Sequence, residues 1–155
     1  MPQTSSKRLW LVVPVWLWLV ADVSLTLVGQ PDSFWDGDYT TALEANPIVH
    51  PILTLGPGPF ILLAILWAMF CGLFVVYFPY RLVTWFVLIA ALSHAFGGCT
   101  WLVRLGTWGW ILAAAYLFVA AEVSWWCWGR FDVVANEKGA EPEGSKSMSK
   151  TESSS

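Results

Sequence analysis

Three ionisable side chains lie inside long apolar runs of this 155-residue sequence: Asp22, His94 and Glu122. A charged side chain of this kind costs about 2.5–3.5 kcal/mol at the centre of a membrane-spanning helix, so it usually faces other helices and has a polar partner. A carboxylate beside an imidazole can form an interhelical hydrogen bond, carry a proton or hold a metal ion. These three residues are therefore the first candidates for a functional site.

The depth of each residue along its predicted helix favours a pairing of Asp22 with His94. Asp22 is thirteen residues beyond Leu9, where the first apolar run begins, which is about 20 Å at the rise of an α-helix. His94 is twelve residues beyond Leu82, which is about 18 Å. If both helices start on the same side of a membrane, the carboxyl group and the imidazole lie at one level. We therefore predict that they form one polar cluster.

Three interpretations of this cluster remain open at the level of sequence. It is an interhelical hydrogen bond that fixes packing, a proton or small-ligand site, or a metal site. A metal site needs three or four ligands, and the loop residues Glu44 and His50 could join Asp22 and His94. The sequence contains no H-E-x-x-H or C-x-x-C spacing, identifies no cofactor and carries no catalytic motif of high specificity.

Glu122 is predicted to lie apart from this pair. It is six residues before Trp128 on a helix that runs in the opposite direction, which is about 9 Å from the end of that helix. The carboxyl group is interpreted as a proton relay towards the inner side, as a counter-charge for Arg81, or as a group that stays protonated in apolar surroundings.

The composition indicates which elements must position these residues. The chain is 57% hydrophobic, contains twelve Trp residues and is 12% charged, against about 25% charged in an average soluble domain. A water-soluble fold of this length could not bury so much apolar surface. The composition therefore excludes a disordered protein and an ordinary cytosolic enzyme. The net charge of −3 and the scattered Lys and Arg residues argue against nucleic acid as a partner.

The apolar runs predict an all-α membrane protein with four transmembrane helices, because a span needs about 20 apolar residues. The predicted spans are residues 9–28, 60–78, 82–103 and 108–128. Residues 1–8 form a polar amino terminus. Residues 129–155 form a polar tail that we predict to be largely disordered, because its final part is almost devoid of apolar residues.

A long loop, residues 29–59, joins the first two predicted spans. Its first half is acidic, and Pro and Gly residues interrupt it throughout. It also contains large apolar side chains that require burial, so we expect it to fold back along the membrane surface or to dip into the bundle. Asn46 and Pro47 predict the start of a short helix, since Asn caps free N–H groups and Pro fits the first helical position.

The distribution of Lys and Arg predicts the orientation in the membrane. Five of these residues flank the spans on one side: Lys7, Arg8, Arg81, Arg130 and Lys138. The other side has Arg104, and the long loop has no basic residue. By the positive-inside rule, both termini are cytoplasmic, the loop at 29–59 is outside, and a bacterial inner membrane is the expected location.

The first half of the chain contains a pattern of polar residues around the first loop. Asp22-x-x-x-Thr26 lies at the end of the first span, and Glu44-x-Asn46-Pro47 follows it. In these motifs the chain resembles a family of small, uncharacterised bacterial and archaeal multi-pass membrane proteins. The resemblance implies that Asp22, Thr26, Glu44 and Asn46 act as one group at the outer face, and it implies no activity. A Lys that this family has in its second helix has no counterpart here.

Three functions follow as alternatives. The first is a non-enzymatic accessory or structural membrane protein, whose polar cluster fixes the fold. The second is a small proton-coupled or ion-coupled transporter or channel that acts as an oligomer. The third is a metal-dependent intramembrane enzyme. The lipid bilayer is a partner in each case, and a second copy or another membrane protein is a further possible partner.

Overall fold

A computed structural model describes residues 8–136, with side chains described for residues 8–129. Four long helices account for most of this part: α1 (Val13–Val28), α2 (Pro57–Tyr77), α3 (Tyr80–Leu102) and α4 (Thr107–Asn136). Short helical turns lie before and between them, at Leu9–Leu11, Asp32–Trp35, Tyr39–Thr41, His50–Leu53 and Val103–Leu105. The described part contains no strand. The predicted polar start at residues 1–7 and the predicted disorder at residues 137–155 lie outside it.

The prediction of an all-helical protein with four long apolar segments is confirmed. The segments long and apolar enough to cross a membrane are Leu9–Val28, Pro57–Tyr77, Tyr80–Leu105 and Thr107–Gly129. In α1 and α3, 39% of the most apolar window is buried, against 17% in α2 and α4. The first and third helices therefore form the centre of the bundle, and the other two pack at its periphery.

Several helix boundaries differ from those predicted, and two of the differences have a clear physical reason. The helix α2 starts at Pro57 and not at residue 60, because Gly56 adopts φ 109° and lets the chain turn directly into a helix whose first residue is Pro57. The helix α4 continues to Asn136, eight residues beyond the predicted end at 128. A helix satisfies its own backbone groups, so it does not have to stop where the apolar run ends.

The main core lies where α1 packs against the other three long helices. Small residues of α3, including Ala90, Ala91 and Ala95, are buried there and allow α1 to approach closely. Two side chains near the amino-terminal end of the described chain also bind backbone carbonyls of α2 or of the residue that follows it. Trp16 Nε1 donates to Ala68 O at 2.9 Å, and the Arg8 guanidinium donates to Val76 O at 3.1 Å and to Phe78 O.

The long loop forms a second, smaller core over the ends of α1 and α2. Phe34, Ala42, Leu53 and Phe60 are buried together. The predicted short helix starts at His50, four residues after Asn46, because Asn46 first makes a turn of its own. The Asn46 side chain accepts from the N–H of Ile48 at 3.0 Å, and its carbonyl accepts from the N–H of His50 at 2.9 Å.

Candidate functional site

The structure brings Asp22 and His94 together and adds a tryptophan from a third helix. His94 Nδ1 lies 2.9 Å from Asp22 Oδ2, across the contact between α3 and α1. Trp67 of α2 donates its indole N–H to His94 Nε2, also at 2.9 Å. We call these three residues the triad. Its members come from three different long helices, so it links most of the bundle through two hydrogen bonds.

The donor and acceptor chemistry of the triad selects one tautomer of His94. The indole N–H of Trp67 can only donate, so His94 Nε2 must be the unprotonated, accepting nitrogen. The ring proton is then on Nδ1, where it is donated to Asp22 Oδ2. In this arrangement the imidazole is neutral and the Asp22 carboxylate accepts. Neither ring nitrogen has a free lone pair for a metal ion or for the proton of a substrate.

A glycine makes room for the carboxylate. A Cβ atom built on Gly97, three residues after His94, would lie 2.6 Å from Asp22 Oδ1 and 2.8 Å from Oδ2. Any side chain at this position would push the carboxylate away from α3. The indole of Trp67 is held in turn by aromatic neighbours, with Phe70 stacked at 5.4 Å and Phe86 at 6.1 Å between ring centroids.

The triad is not sealed. The side chains of His94 and Asp22 keep 19% and 22% of their surface exposed. Part of the carboxylate and of the imidazole therefore lies at the surface of the bundle, although both imidazole nitrogens are engaged. The arrangement can therefore fix helix packing, and it can exchange protons with its surroundings only if one of the two hydrogen bonds opens.

A cavity of about 680 Å³ lies between α1, α3 and α4, with Trp18, Ala91, Ala95, Leu117 and Ser124 among its lining residues. Trp18 is one helical turn before Asp22, and its ring packs edge-on against Tyr116 with centroids 5.1 Å apart. Within the described part of the chain, Trp18 Nε1 and the Tyr116 hydroxyl are buried without hydrogen-bond partners. These two donors are polar atoms that the sequence analysis did not single out.

The loop residues of the predicted site lie apart from the triad. Glu44 Oε1 accepts from the N–H of Asn46 at 2.7 Å, so the carboxylate stabilises a local turn. Thr26 is buried on α1, one turn beyond Asp22. No hydrogen bond among the described residues joins Glu44 or Asn46 to Asp22. The hydrogen bonds of the described residues therefore do not join Glu44 and Asn46 to Asp22 in one network.

The side chain of Gln30 connects the end of α1 to the loop, a contact that the sequence pattern does not predict. It is 6% exposed, and its amide donates to Thr26 O at 2.8 Å and to Leu43 O at 3.0 Å. Its Oε1 accepts from the N–H of Leu43 at 2.8 Å. The side chain thus ties the returning loop to the end of α1. The available signal was a lone amide placed between an apolar helix and Pro31.

The ligands proposed for a metal do not converge. Among the described residues, no three His, Cys, Asp or Glu side chains are grouped as a metal site requires. Glu44 forms its contact within the loop, and His50 lies at the start of a short loop helix. Asp22 and His94 therefore lie together as two candidate ligands, and no described loop residue joins them as a third.

Glu122 is exposed on α4, and the expected ion pair with Arg81 is not formed in the described part of the chain. The helices α3 and α4 run antiparallel, with Gly98 beside Tyr116 and Cys99 beside Ala113. On that register, Glu122 is level with the residues around 91, and Arg81 is about ten residues away, or roughly 15 Å along α3. The two side chains are too far apart to meet.

Comparison of the chain with protein-family models, with curated proteins and with solved structures finds no match in any of the three. The geometry of the triad is therefore the basis for the function proposed below.

Proposed function

We propose that this protein is a small integral membrane protein without enzymatic activity, an accessory or structural component in which the triad fastens α1, α2 and α3. The observation that carries this proposal is that both ring nitrogens of His94 are engaged, one by Trp67 and one by Asp22. A catalytic or metal-binding histidine needs at least one nitrogen available to its substrate or ion. Here both nitrogens are used to connect helices.

The membrane location and orientation are part of the same proposal. Four helices of sufficient length and apolarity support membrane insertion. The excess of Lys and Arg at the ends that carry the termini supports a cytoplasmic location of both termini, with the loop at 29–59 outside, in a bacterial inner membrane. The resemblance to small multi-pass membrane proteins through the Asp22 and Glu44 motifs is consistent with this assignment.

Proton or ion transport is the second candidate, and a specific observation favours it. The triad is partly exposed, and Trp18, whose buried Nε1 has no hydrogen-bond partner among the described residues, lines the cavity one helical turn before Asp22. Water held between Trp18 and Asp22 would offer a route for a proton. The exposed Glu122 does not line the cavity, so it does not extend this route.

The two candidates are separated by comparing stability and flux in the same variants. Wild type, Asp22→Ala, His94→Phe and the control Ser93→Ala are purified in mild detergent and reconstituted in liposomes. Ser93 is an exposed neighbour of His94 on α3. We expect the two triad variants to unfold at lower temperature than wild type and Ser93→Ala, because each breaks a link between helices. We expect no proton flux above that of empty liposomes in any sample.

Two results would contradict the structural function. The first is a proton flux in wild type that His94→Phe abolishes while its unfolding temperature is unchanged, which would establish transport. The second is a stoichiometric metal ion in purified wild type that is lost in an Asp22→Ala, His94→Ala double variant, which would establish a metal site.

A further inference from the structure

The exposed carboxyl group of Glu122 is the least expected feature of the membrane-spanning part. It lies within Thr107–Gly129, seven residues before the end of that segment, which is about 10 Å along the helix. The hydrocarbon core of a bilayer is about 30 Å thick, so this position is well inside it. Acidic residues at such depth almost always face the interior of a bundle or pair with a polar group. Among the described residues, Glu122 is exposed and has no ion-pair or hydrogen-bond partner.

The side of α4 that carries Glu122 points away from the rest of the bundle. The buried residues of α4 recur every seven positions, at Ala113, Ala120 and Cys127. Glu122 is two residues after Ala120, which places it about 200° around the helix at 3.6 residues per turn. Phe118 and Trp125 lie on the same outer face and are 67% and 80% exposed. A partner that satisfies Glu122 must therefore come from outside the described chain.

The three basic side chains described do not meet this need. Arg8 donates to the carbonyls of Val76 and Phe78. Arg81 is roughly 15 Å away along the helix direction, and Arg104 lies over the ring of Trp101 at 3.9 Å. In a neighbouring copy of the same orientation, these arginines would lie at these same depths. The group that does lie at the right depth in such a copy is its own Glu122.

We propose that two copies of this protein pair through the outer faces of α4, with their Glu122 carboxyl groups hydrogen-bonded to each other across a two-fold axis normal to the membrane. A two-fold axis brings identical positions together at equal depth. A protonated carboxyl group both donates and accepts, so two of them, or one with a carboxylate, are self-complementary. Ala115, one heptad before Glu122 on the same exposed face, lets the two backbones approach closely.

This inference rests on the membrane insertion in the proposed function and is independent of the role assigned to the triad. Membrane insertion is checked first, by retention of the protein in the membrane pellet after washing with alkaline carbonate. A protein that is washed out would contradict insertion itself. A protein that is retained but unpaired would contradict only the pairing proposed here.

Disulfide cross-linking in native membranes tests which face is paired. The native cysteines Cys71, Cys99 and Cys127 are replaced by Ala, and single cysteines are introduced by Phe118→Cys or Trp125→Cys on the outer face of α4. The matched controls are Leu66→Cys and Leu73→Cys, which are both 54% exposed on α2. We expect oxidation to give a disulfide-linked dimer at the α4 positions and none at the α2 positions. Dimers at the α2 positions, or none at either, would overturn the proposal.

Substitution of Glu122 tests the carboxyl contact itself. Dimer formation is measured by energy transfer between labelled copies in liposomes over a range of protein-to-lipid ratios. Glu122→Gln keeps a side chain that donates and accepts, so we expect its association to stay close to that of wild type. Glu122→Leu removes the hydrogen bond, and we expect association to weaken by about 3- to 30-fold, the range that interhelical polar contacts contribute.

Two outcomes of this second experiment would overturn the proposal. One is an association of Glu122→Leu equal to that of wild type. The other is a cross-link from the α4 positions to a different membrane protein in place of a second copy, since that would assign the Glu122 face to a heterologous partner.

Discussion

His94 is held between a donor and an acceptor that come from different helices. Trp67 supplies an N–H to Nε2, and Asp22 accepts the proton of Nδ1. An isolated interhelical hydrogen bond in a membrane protein contributes about 0.6 kcal/mol on average and about 1.7 kcal/mol at most. The two bonds share one imidazole ring, so loss of the ring affects both. The stability of the bundle therefore depends on this residue more than on either partner alone.

A double-mutant cycle on Trp67 and His94 tests this at the residue scale. Trp67→Phe keeps most of the aromatic contact and removes the N–H donor. We expect it to lower the free energy of unfolding in detergent by about 0.6–1.7 kcal/mol, and to have a much smaller effect when His94 is already Phe. The control Trp85→Phe, at a 66% exposed position on α3, should change stability little. Equal effects of Trp67→Phe in both backgrounds would mean that the hydrogen bond contributes nothing.

Part of the triad was predictable, and the reason is geometric. The rise per residue of a helix is constant, so counting from the ends of two apolar runs is enough to place Asp22 and His94 at one level. Trp67 could not be identified in this way. A tryptophan in an apolar run can serve for packing alone or for packing and hydrogen bonding. The sequence does not distinguish the two roles. The engagement of His94 Nε2 became visible only in the structure.

At the scale of single helices, Gly97 decides how closely α1 and α3 approach at the triad. Its missing side chain leaves the space that the Asp22 carboxylate occupies. We expect Gly97→Ala to lower the free energy of unfolding by about 1–3 kcal/mol, the usual cost of overpacking. The penalty should be smaller in an Asp22→Ala background, where the carboxylate is absent. Thermal unfolding of the single and double variants in detergent measures both effects.

Gly129→Ala is the matched control for this experiment. It also introduces one methyl group into a helix, but a Cβ at this position would meet nothing within 4 Å. Because Ala has a higher helix propensity than Gly, by about 0.8–1.0 kcal/mol, the control should be neutral or slightly stabilising. If Gly97→Ala behaves like Gly129→Ala, the contact between Gly97 and Asp22 does not limit the helix approach.

The side of α4 that faces outward could not be predicted from the sequence. In a mixed polar and apolar helix, the polar residues mark the solvent side by their 3.6-residue period. The spans of this chain are apolar on all sides, so the sequence carries no such mark for Glu122. Its depth was predictable, but the side of α4 on which it lies was not. One of the alternatives for Glu122, a counter-charge for Arg81, is not formed among the described residues, because Arg81 lies roughly 15 Å away along α3.

At the scale of the whole molecule, the four long helices were predictable because chain length and apolarity are sufficient to define them. The internal contacts of the loop were less predictable than the helices. Its burial was expected from Phe34, Leu53 and other apolar side chains, but the tether through Gln30 depends on a contact with Leu43, thirteen residues away. Contacts of this kind arise only when the loop has folded back, and local sequence patterns do not specify them.

The orientation of the whole bundle is open to a direct test, because the basic residues are distributed so unevenly. Cysteine is introduced at one position at a time in the background without native cysteines: Asp36→Cys in the loop, Thr107→Cys at the start of α4, or Ser147→Cys in the tail. A membrane-impermeant thiol reagent is then applied to intact bacterial cells and to permeabilised cells. Asp36 and Thr107 are both exposed, so reagent access at these positions depends on the side of the membrane.

We expect Asp36→Cys and Thr107→Cys to react in intact cells, and Ser147→Cys to react only after permeabilisation, because Lys and Arg are retained on the cytoplasmic side. The reverse pattern would show that the bundle is inserted the other way round. Reaction of all three positions in intact cells, to about half of the level in permeabilised cells, would show insertion in both orientations. The two-fold axis proposed for the pairing through Glu122 requires the two copies of a pair to share one orientation, so in that case pairs would form only between copies inserted the same way round.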